Sequence, residues 1–292
     1  MRKRFYAIFL ITVLLGTAFP ISAVALPAPE VFVSSASLVQ ADTLLVVVKN
    51  ESAQISGKLG TVKMRFFRSE NGMDWIAITG IPINKTPGNY TLAINIPGKL
   101  PFKKTIKVKK RVFSVTKMVI TPNLSQKGFT PKKIVSTIEN EENKTLNKVL
   151  ANINPSAFFT KPFIYPLSEI KITGNYGDIR ASGNYKIQHL GVDLRAPKNT
   201  PVYAVNDGIV VFSKSLPDYG NTLVIDHGLG VYSLYLHLAD FNLYEGVAAR
   251  QGDIIGLAGD TGYATAPHLH FSIKVRGSTV DPLRFINATR AE

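Results

Sequence analysis

The pattern of apolar and polar residues predicts a mainly β protein. Within residues 31–115, short apolar runs such as 44–48 alternate with turn residues, which is typical of strands in a sandwich. The segment 104–110 alternates Lys with Ile and Val and predicts a strand with one buried and one solvated face. Asn71-Gly72 lies between the runs 63–68 and 74–79, a strong hairpin signal. Residues 26–115 therefore predict a β-sandwich accessory domain of immunoglobulin type.

The pattern changes at residue 116. Thr130-Pro131 is a typical helix start, and Ile134, Ile138, Leu146, Val149 and Leu150 follow near helical spacing. We predict a helical linker over 116–162. Strand patterns then return in a domain spanning 163–292, at 201–205, 208–213, 222–226, 231–238 and 270–275.

The first residues have the pattern of a secretory signal peptide. A basic start, an apolar run over 5–19 and Ala23-Val24-Ala25 predict residues 1–25 as the signal, cleaved after Ala25. An uncleaved anchor is the alternative, but the apolar run is short for a membrane span and Pro20 ends it. The chain has no cysteine, so it can form neither disulfides nor a lipid attachment through cysteine. Export without these features predicts a bacterial envelope protein in the periplasm, cell wall or extracellular space.

Charge is concentrated in the middle of the chain. The formal net charge is +14, and residues 99–148 carry thirteen Lys and Arg against three Glu. This basic region predicts attraction to anionic envelope polymers. No nucleic-acid-binding motif accompanies it, and we expect neither a nucleic-acid partner nor a stable membrane span after signal cleavage.

All five histidines follow residue 188, and four of them lie in three short motifs: H-L-G-V-D (189–193), Y-L-H-L (235–238) and P-H-L-H-F (267–271). In a strand, His268 and His270 point to the same face, roughly 6.5–7 Å apart along the backbone. That spacing favours one metal ligand and one neighbour that acts on the reaction. His237 is predicted opposite the stripe of Leu234, Leu236 and Leu238, on a face that could line a groove.

These residue types fit a catalytic zinc site. Imidazole nitrogens and carboxylate oxygens are normal Zn²⁺ ligands, and three protein ligands leave a fourth position open. Such a metal activates water and polarises a carbonyl, and further histidines can transfer protons.

The three motifs, in this order, resemble the lysostaphin and LytM type of zinc metalloendopeptidases, which cut peptides of bacterial peptidoglycan. The surrounding G-V-D-L-R-A-P and G-D-I-I-G-L-A-G-D-T-G-Y-A-T-A-P segments agree. The resemblance covers about residues 163–288 and implies an antiparallel β domain that hydrolyses peptide bonds with metal-activated water. It implies one Zn²⁺ per chain, with the roles divided as follows: His189, Asp193 and His270 as ligands, His237 and His268 as the catalytic pair, Tyr185 near the oxyanion and His227 as structural.

Three other functions stay open. Some members of the family have lost ligands and activate other wall hydrolases, although all five site positions are intact here. A cupin-like binding protein also uses an H-x-H pair, but the glutamate expected soon after it is missing. A wall-binding role of the front half is compatible with catalysis. The sequence leaves the bond that is cut undetermined, and the segments 178–188 and 216–221 are predicted to shape the cleft.

Overall fold

The structure, a computed structural model, describes residues 27–69 and 72–290. The predicted signal peptide and Asn71 of the predicted turn lie outside the described residues. No helix within the described part of the chain is long and apolar enough to cross a membrane. The protein is mainly β, as the sequence predicts.

The front half consists of two sheets packed face to face. Their strands are β1 (Glu30–Val33), β2 (Ser37–Val39), β3 (Thr43–Lys49), β4 (Ser56–Leu59), β5 (Val62–Met64), β6 (Phe67–Arg68), β7 (Trp75–Gly80), β8 (Gly88–Asn95) and β9 (Phe102–Lys109). One sheet has the order β1-β3-β7-β6 and the other β2-β9-β8-β4-β5. Val46, Trp75, Leu92 and Ile106 are among the residues of the core between them. In β9 the apolar residues point inward and most lysines outward, as the alternation predicts.

The run 63–68 is divided between the two sheets, so the prediction of one strand there is wrong. Phe66 and Phe67 are both buried, which strict alternation within a single strand does not allow. The chain instead leaves β5 and enters β6, which pairs antiparallel with β7.

The middle segment crosses the surface of the C-terminal region. It contains β10 (Val115–Lys117), α1 (Pro122–Gln126), α2 (Pro131–Thr137), a π-helical turn (Ile138–Glu142) and α3 (Asn143–Val149). The Thr130 side chain caps α2 by accepting the backbone N–H of Lys133 at 3.2 Å, as Thr-Pro predicts. The predicted apolar positions Ile134, Ile138, Leu146 and Leu150 are buried.

The C-terminal region is built on a large antiparallel sheet. Its strands are β11 (Ile172–Gly174), β14 (Val192–Arg195), β15 (Pro201–Tyr203), β16 (Gly208–Leu216), β17 (Gly220–Asp226), β18 (Val231–Phe241), β19 (Ala248–Ala249), β20 (Ile254–Ala258), β21 (His268–Val275) and β22 (Ser278–Val280), followed by helix α4 (Pro282–Thr289). The order β11-β14-β21-β18-β17-β16-β19 places β14, β21 and β18 side by side.

A second, small sheet joins this region to the middle segment. The segment 178–188 forms a hairpin of β12 (Ile179–Ser182) and β13 (Tyr185–Gln188), and β10 adds to it in parallel. The front sheets also contact the C-terminal region, through ion pairs of Asp42 with Arg284 and of Arg111 with Asp281. Ala41, Phe67 and Ile78 of the front half belong to the same hydrophobic cluster as the C-terminal region. The domain boundaries at 115/116 and 162/163 stay predictions.

Candidate active site

Neighbouring strands bring the predicted metal ligands together. Asp193 of β14 lies directly opposite His270 of β21, and Leu236 of β18 lies opposite His270 on its other side. His189 precedes β14 in the loop after the hairpin. The three ligand atoms form a tight group: Oδ1 of Asp193 is 2.9 Å from Nε2 of His189 and 3.0 Å from Nδ1 of His270. The two histidine nitrogens are 2.9 Å apart.

Hydrogen bonds on the outer side fix both ligand tautomers. His189 donates its Nδ1–H to the carbonyl of Asn175 at 2.8 Å. Ser272 donates its only proton to the carbonyl of Leu190, so its Oγ accepts Nε2–H of His270 at 3.0 Å. Two unprotonated ring nitrogens therefore face each other and a carboxylate oxygen. A bound cation would relieve this repulsion, and the donor set of two imidazole nitrogens and one carboxylate oxygen fits a Zn²⁺ site with an open fourth position.

Two glycines make room for the ligands. A Cβ on Gly191 would lie 2.4 Å from Nε2 of His270 and 2.4 Å from Oγ of Ser272. A Cβ on Gly174 would lie 2.5 Å from Oδ2 of Asp193. The Gly of the H-L-G-V-D motif is therefore required by the close approach of His270 and Ser272.

His237 and His268 turn one ring nitrogen each toward the same space. Nδ1 of His237 donates to the carbonyl of Thr261, and Nδ1 of His268 donates to that of Ala266, each at 2.8 Å. Their ring centroids are 4.9 Å apart. Nε2 of His268 is buried without a hydrogen-bond partner among the described residues and lies 3.5 Å from Oδ1 of Asp193. Each ring thus keeps its Nε2 available for a reactant.

The position of His237 corrects the sequence prediction. His237 was expected opposite Leu234 and Leu236, but all three line one cavity. Two residues of β18 oppose one of β17 at this point, and His237 has a φ of +60°, which is uncommon outside glycine. This bulge interrupts the alternation that the prediction assumed, and Leu238 joins the main core instead.

Burial and neighbouring charges set the protonation of the cluster. Burial lowers the pKa of His237 well below its usual range, and His268 and His270 lower it further. Burial also lowers the pKa of His270, to about 4. Burial alone would raise the pKa of Asp193, but the neighbouring histidines hold it well below its usual range. For His268, the adjacent Asp193 carboxylate outweighs burial and raises the pKa.

Arg180 is a member of the site that sequence reasoning missed. Its guanidinium forms an ion pair with Oδ2 of Asp193 and lines the cavity beside the ligands. The sequence shows only an arginine in a segment expected to shape the cleft. Nothing in its spacing indicates contact with Asp193, because the hairpin β12–β13 creates that contact.

The remaining predicted residues lie outside this group. Tyr185 lies at the end of the hairpin and is 39% exposed. His227 is fully buried and hydrogen-bonds to the carbonyl of Asp207 and to Oγ of Ser233. Burial lowers its pKa to about 4. His227 is thus a neutral, hydrogen-bonded core residue in this structure.

The middle helices cover the histidine cluster. The cavity has a volume of about 250 Å³, and its walls combine His189, His237 and His270 with Ile134, Ile138 and Leu146 of the helices. Drug-sized ligands occupy pockets of about 300–1,000 Å³, so this cavity is small for a peptide. The segment 216–221, predicted to shape the cleft, contributes Asp218 and Tyr219 to the wall.

A buried carboxylate fastens this cover. Oε1 of Glu142 accepts the backbone N–H groups of Asp218 and Tyr219 at 2.7 and 3.2 Å. Burial raises the pKa of Glu142. Burial, with the Glu142 charge, also raises the pKa of Asp218, to about 7. Tyr219 and Tyr263 add hydrogen bonds to Asn143 and to the carbonyl of Val119, each at 2.9 Å.

Comparisons with known proteins point to a family of peptidases. Residues 187–282 match the model of peptidase family M23. The DD-carboxypeptidase/endopeptidase Mpg of Neisseria meningitidis serogroup B is 43% identical over 95 residues, which is 32% of this chain and 22% of that protein. The peptidoglycan DD-endopeptidase ShyA of Vibrio cholerae serotype O1 is 38% identical over 123 residues, which is 41% of this chain and 29% of that protein. The chain thus covers less than a third of the length of these two relatives.

A solved structure extends the likeness of fold to the front half. A putative peptidase M23 from Pseudomonas aeruginosa has a TM-score of 0.56 at 22% identity, over 86% of this chain and 95% of that one. Together with the ordered histidine motifs, the family match confirms the resemblance drawn from the sequence. The C-terminal region of this chain is a peptidase family M23 domain.

Proposed function

We propose that the chain is a zinc-dependent endopeptidase that hydrolyses peptide bonds in the stem peptides or cross-links of bacterial peptidoglycan. One observation carries the proposal. The candidate ligand atoms of His189, Asp193 and His270 lie within about 3 Å of one another. Beside them, Nε2 of His237 and Nε2 of His268 form no hydrogen bond with other described residues. The named relatives that act on peptidoglycan support the choice of substrate.

The residues of the site have distinct roles in the proposed reaction. Zn²⁺, when bound, would polarise the scissile carbonyl and lower the pKa of water. His237 is neutral because its pKa is low, and its free Nε2 can accept the proton of the attacking water. His268, when protonated, can donate a hydrogen bond through Nε2 to the oxygen on which negative charge develops.

Tyr185 keeps its role only as a prediction from the resemblance. Its exposed position on the hairpin requires movement or substrate binding to bring the hydroxyl near the carbonyl oxygen. Tyr185→Phe would lower kcat if the hydroxyl acts there, and would leave kcat unchanged if it does not.

We also propose that the protein is exported to the periplasm or cell wall and that residues 99–148 attract anionic polymers. Lys99, Lys103, Lys107, Lys109 and Lys110 are exposed, which leaves their charges available. Binding of residues 26–292 to anionic wall polymer at rising salt would test this attraction, which salt should weaken.

The central test is digestion of purified, cross-linked peptidoglycan with residues 26–292. Mass spectrometry would identify new amino and carboxyl termini. They should be absent with Asp193→Ala and with a chelator. If neither the folded, zinc-bound wild type nor Glu142→Ala, which loosens the cover, cuts any wall type, the result would contradict the proposal and favour the activator function.

A further inference from the structure

We propose that Arg180 is a positioning residue for the metal ligand Asp193, a proposal that rests on the zinc site of the proposed function. It fixes the outer carboxylate oxygen, so that the inner oxygen stays directed at the metal position. Arg180 would thereby set the zinc affinity of the site.

The two oxygens of Asp193 have separate partners. Oδ1 faces the nitrogens of His189, His270 and His268, at 2.9, 3.0 and 3.5 Å. Oδ2 faces away from them and accepts a hydrogen bond from Nη2 of Arg180. The Asp193 side chain is only 9% exposed, so solvent contributes little to holding Oδ2. Because Arg180 binds Oδ2, this arrangement favours binding of the metal through Oδ1 alone.

The backbone encloses Oδ2 on another side. Gly174 pairs with Asp193 between β11 and β14, and even a Cβ at Gly174 would come within 2.5 Å of Oδ2. Oδ2 therefore has little room to turn, and Arg180 supplies the hydrogen bond that its buried position requires. A planar guanidinium also fixes the orientation of a carboxylate better than a lysine ammonium does.

Arg180 is held in place from two directions. Its backbone pairs with Ile187 across the hairpin and with Thr116 of β10 on the other edge. Its side chain is 27% exposed and crosses from this small sheet to the ligand. An outer partner of this kind typically contributes 10–100-fold to metal affinity or activity.

The test is zinc affinity, measured by competition with a chromophoric chelator on residues 26–292. We expect Arg180→Ala to weaken zinc binding about 10–100-fold and Arg180→Lys to restore part of the loss. Arg111→Ala is the matched control, because Arg111 has a 22% exposed side chain and forms a 2.7 Å ion pair with Asp281. This control should retain wild-type zinc affinity.

A second measurement separates positioning from general destabilisation. In the cobalt-substituted protein, Arg180→Ala should shift the d–d absorption bands, whereas Arg111→Ala should leave them unchanged even if the melting temperature falls. Wild-type zinc affinity and unshifted bands in Arg180→Ala would overturn the proposal, and a raised KM alone would assign Arg180 to substrate binding. A wild-type protein that binds no zinc would instead contradict the proposed function itself.

Discussion

Glu142 and Asp218 are 76 positions apart, yet Oε1 of Glu142 accepts the backbone N–H of Asp218 at 2.7 Å. This bond fastens the middle helices over the histidine cluster. A cavity of about 250 Å³ is small for a peptide cross-link, so we expect the helices to move before substrate binds.

Glu142→Ala should therefore favour the open form. Two buried N–H groups lose their acceptor, at a cost of about 1–3 kcal/mol each. We expect the melting temperature to fall by several degrees and the cleavage rate of cross-linked peptidoglycan to rise severalfold. Glu141→Ala makes the same charge change at an exposed neighbour and should alter neither. Lower stability without faster cleavage would contradict a covering role.

Asp218 should make this contact sensitive to pH. The pKa of Asp218 is raised to about 7 in the folded protein, above its value in the unfolded chain. Between these two pKa values the folded state therefore binds one more proton, on Asp218, than the unfolded state does. Stability should fall as pH rises from about 4 to about 7 and then level off. The other titratable groups near Asp218 are Glu142, Glu141, Lys133, Tyr219 and Tyr263. Asp218→Asn should be more stabilising, relative to wild type, at pH 8 than at pH 4 in urea unfolding. An equal effect at both pH values would refute this assignment.

Substitutions of the metal ligands and of the proton-transfer residues should have different effects on zinc binding and activity. Asp193→Ala should lose both zinc binding and activity. His237→Ala should retain zinc, because the three ligands remain, but should lower kcat by about 10²–10⁴. Zinc content by atomic absorption and peptide hydrolysis would measure the two effects. Loss of zinc from folded His237→Ala would instead mark His237 as a ligand.

Gly191→Ala should weaken zinc binding, because it adds a methyl group beside the candidate ligand His270. The new Cβ would displace His270 and Ser272, and we expect zinc affinity to fall at least tenfold. Gly183→Ala is the control on the nearby hairpin turn, where a Cβ meets nothing within 4 Å but φ is +57°. It should cost about 1 kcal/mol of stability and leave zinc affinity unchanged. Similar zinc affinities of the two variants would disprove the packing argument.

Much of the fold could be predicted because its signals are local, whereas the grouping of His189, Asp193 and His270 was implied by the family resemblance. Strand alternation places His268 and His270 on one face, and both point into the site. Thr130-Pro131 marks the start of α2, where capping depends on neighbouring residues. The mainly β class follows from the same short-range patterns.

The other features depend on contacts that the sequence does not display. Arg180 reaches Asp193 only after β12 and β13 pair, and Glu142 reaches Asp218 only after the middle helices pack. The helix pattern over 116–162 indicated a linker, but periodicity does not specify the surface on which a helix lies. The cover of the cavity was missed for that reason.

The bulge in β18 has a consequence for insertions and deletions. Before His237, one set of alternate residues of β18 faces the main core, and after His237 the other set does. The bulge therefore shifts the inward-facing positions by one residue. Deletion of one residue here would restore a regular strand and a continuous ladder with β17, while turning the position of His237 away from the cavity. A deletion of one residue would thus keep the fold but remove His237 from the cavity. The variant with the more regular strand would be the inactive one.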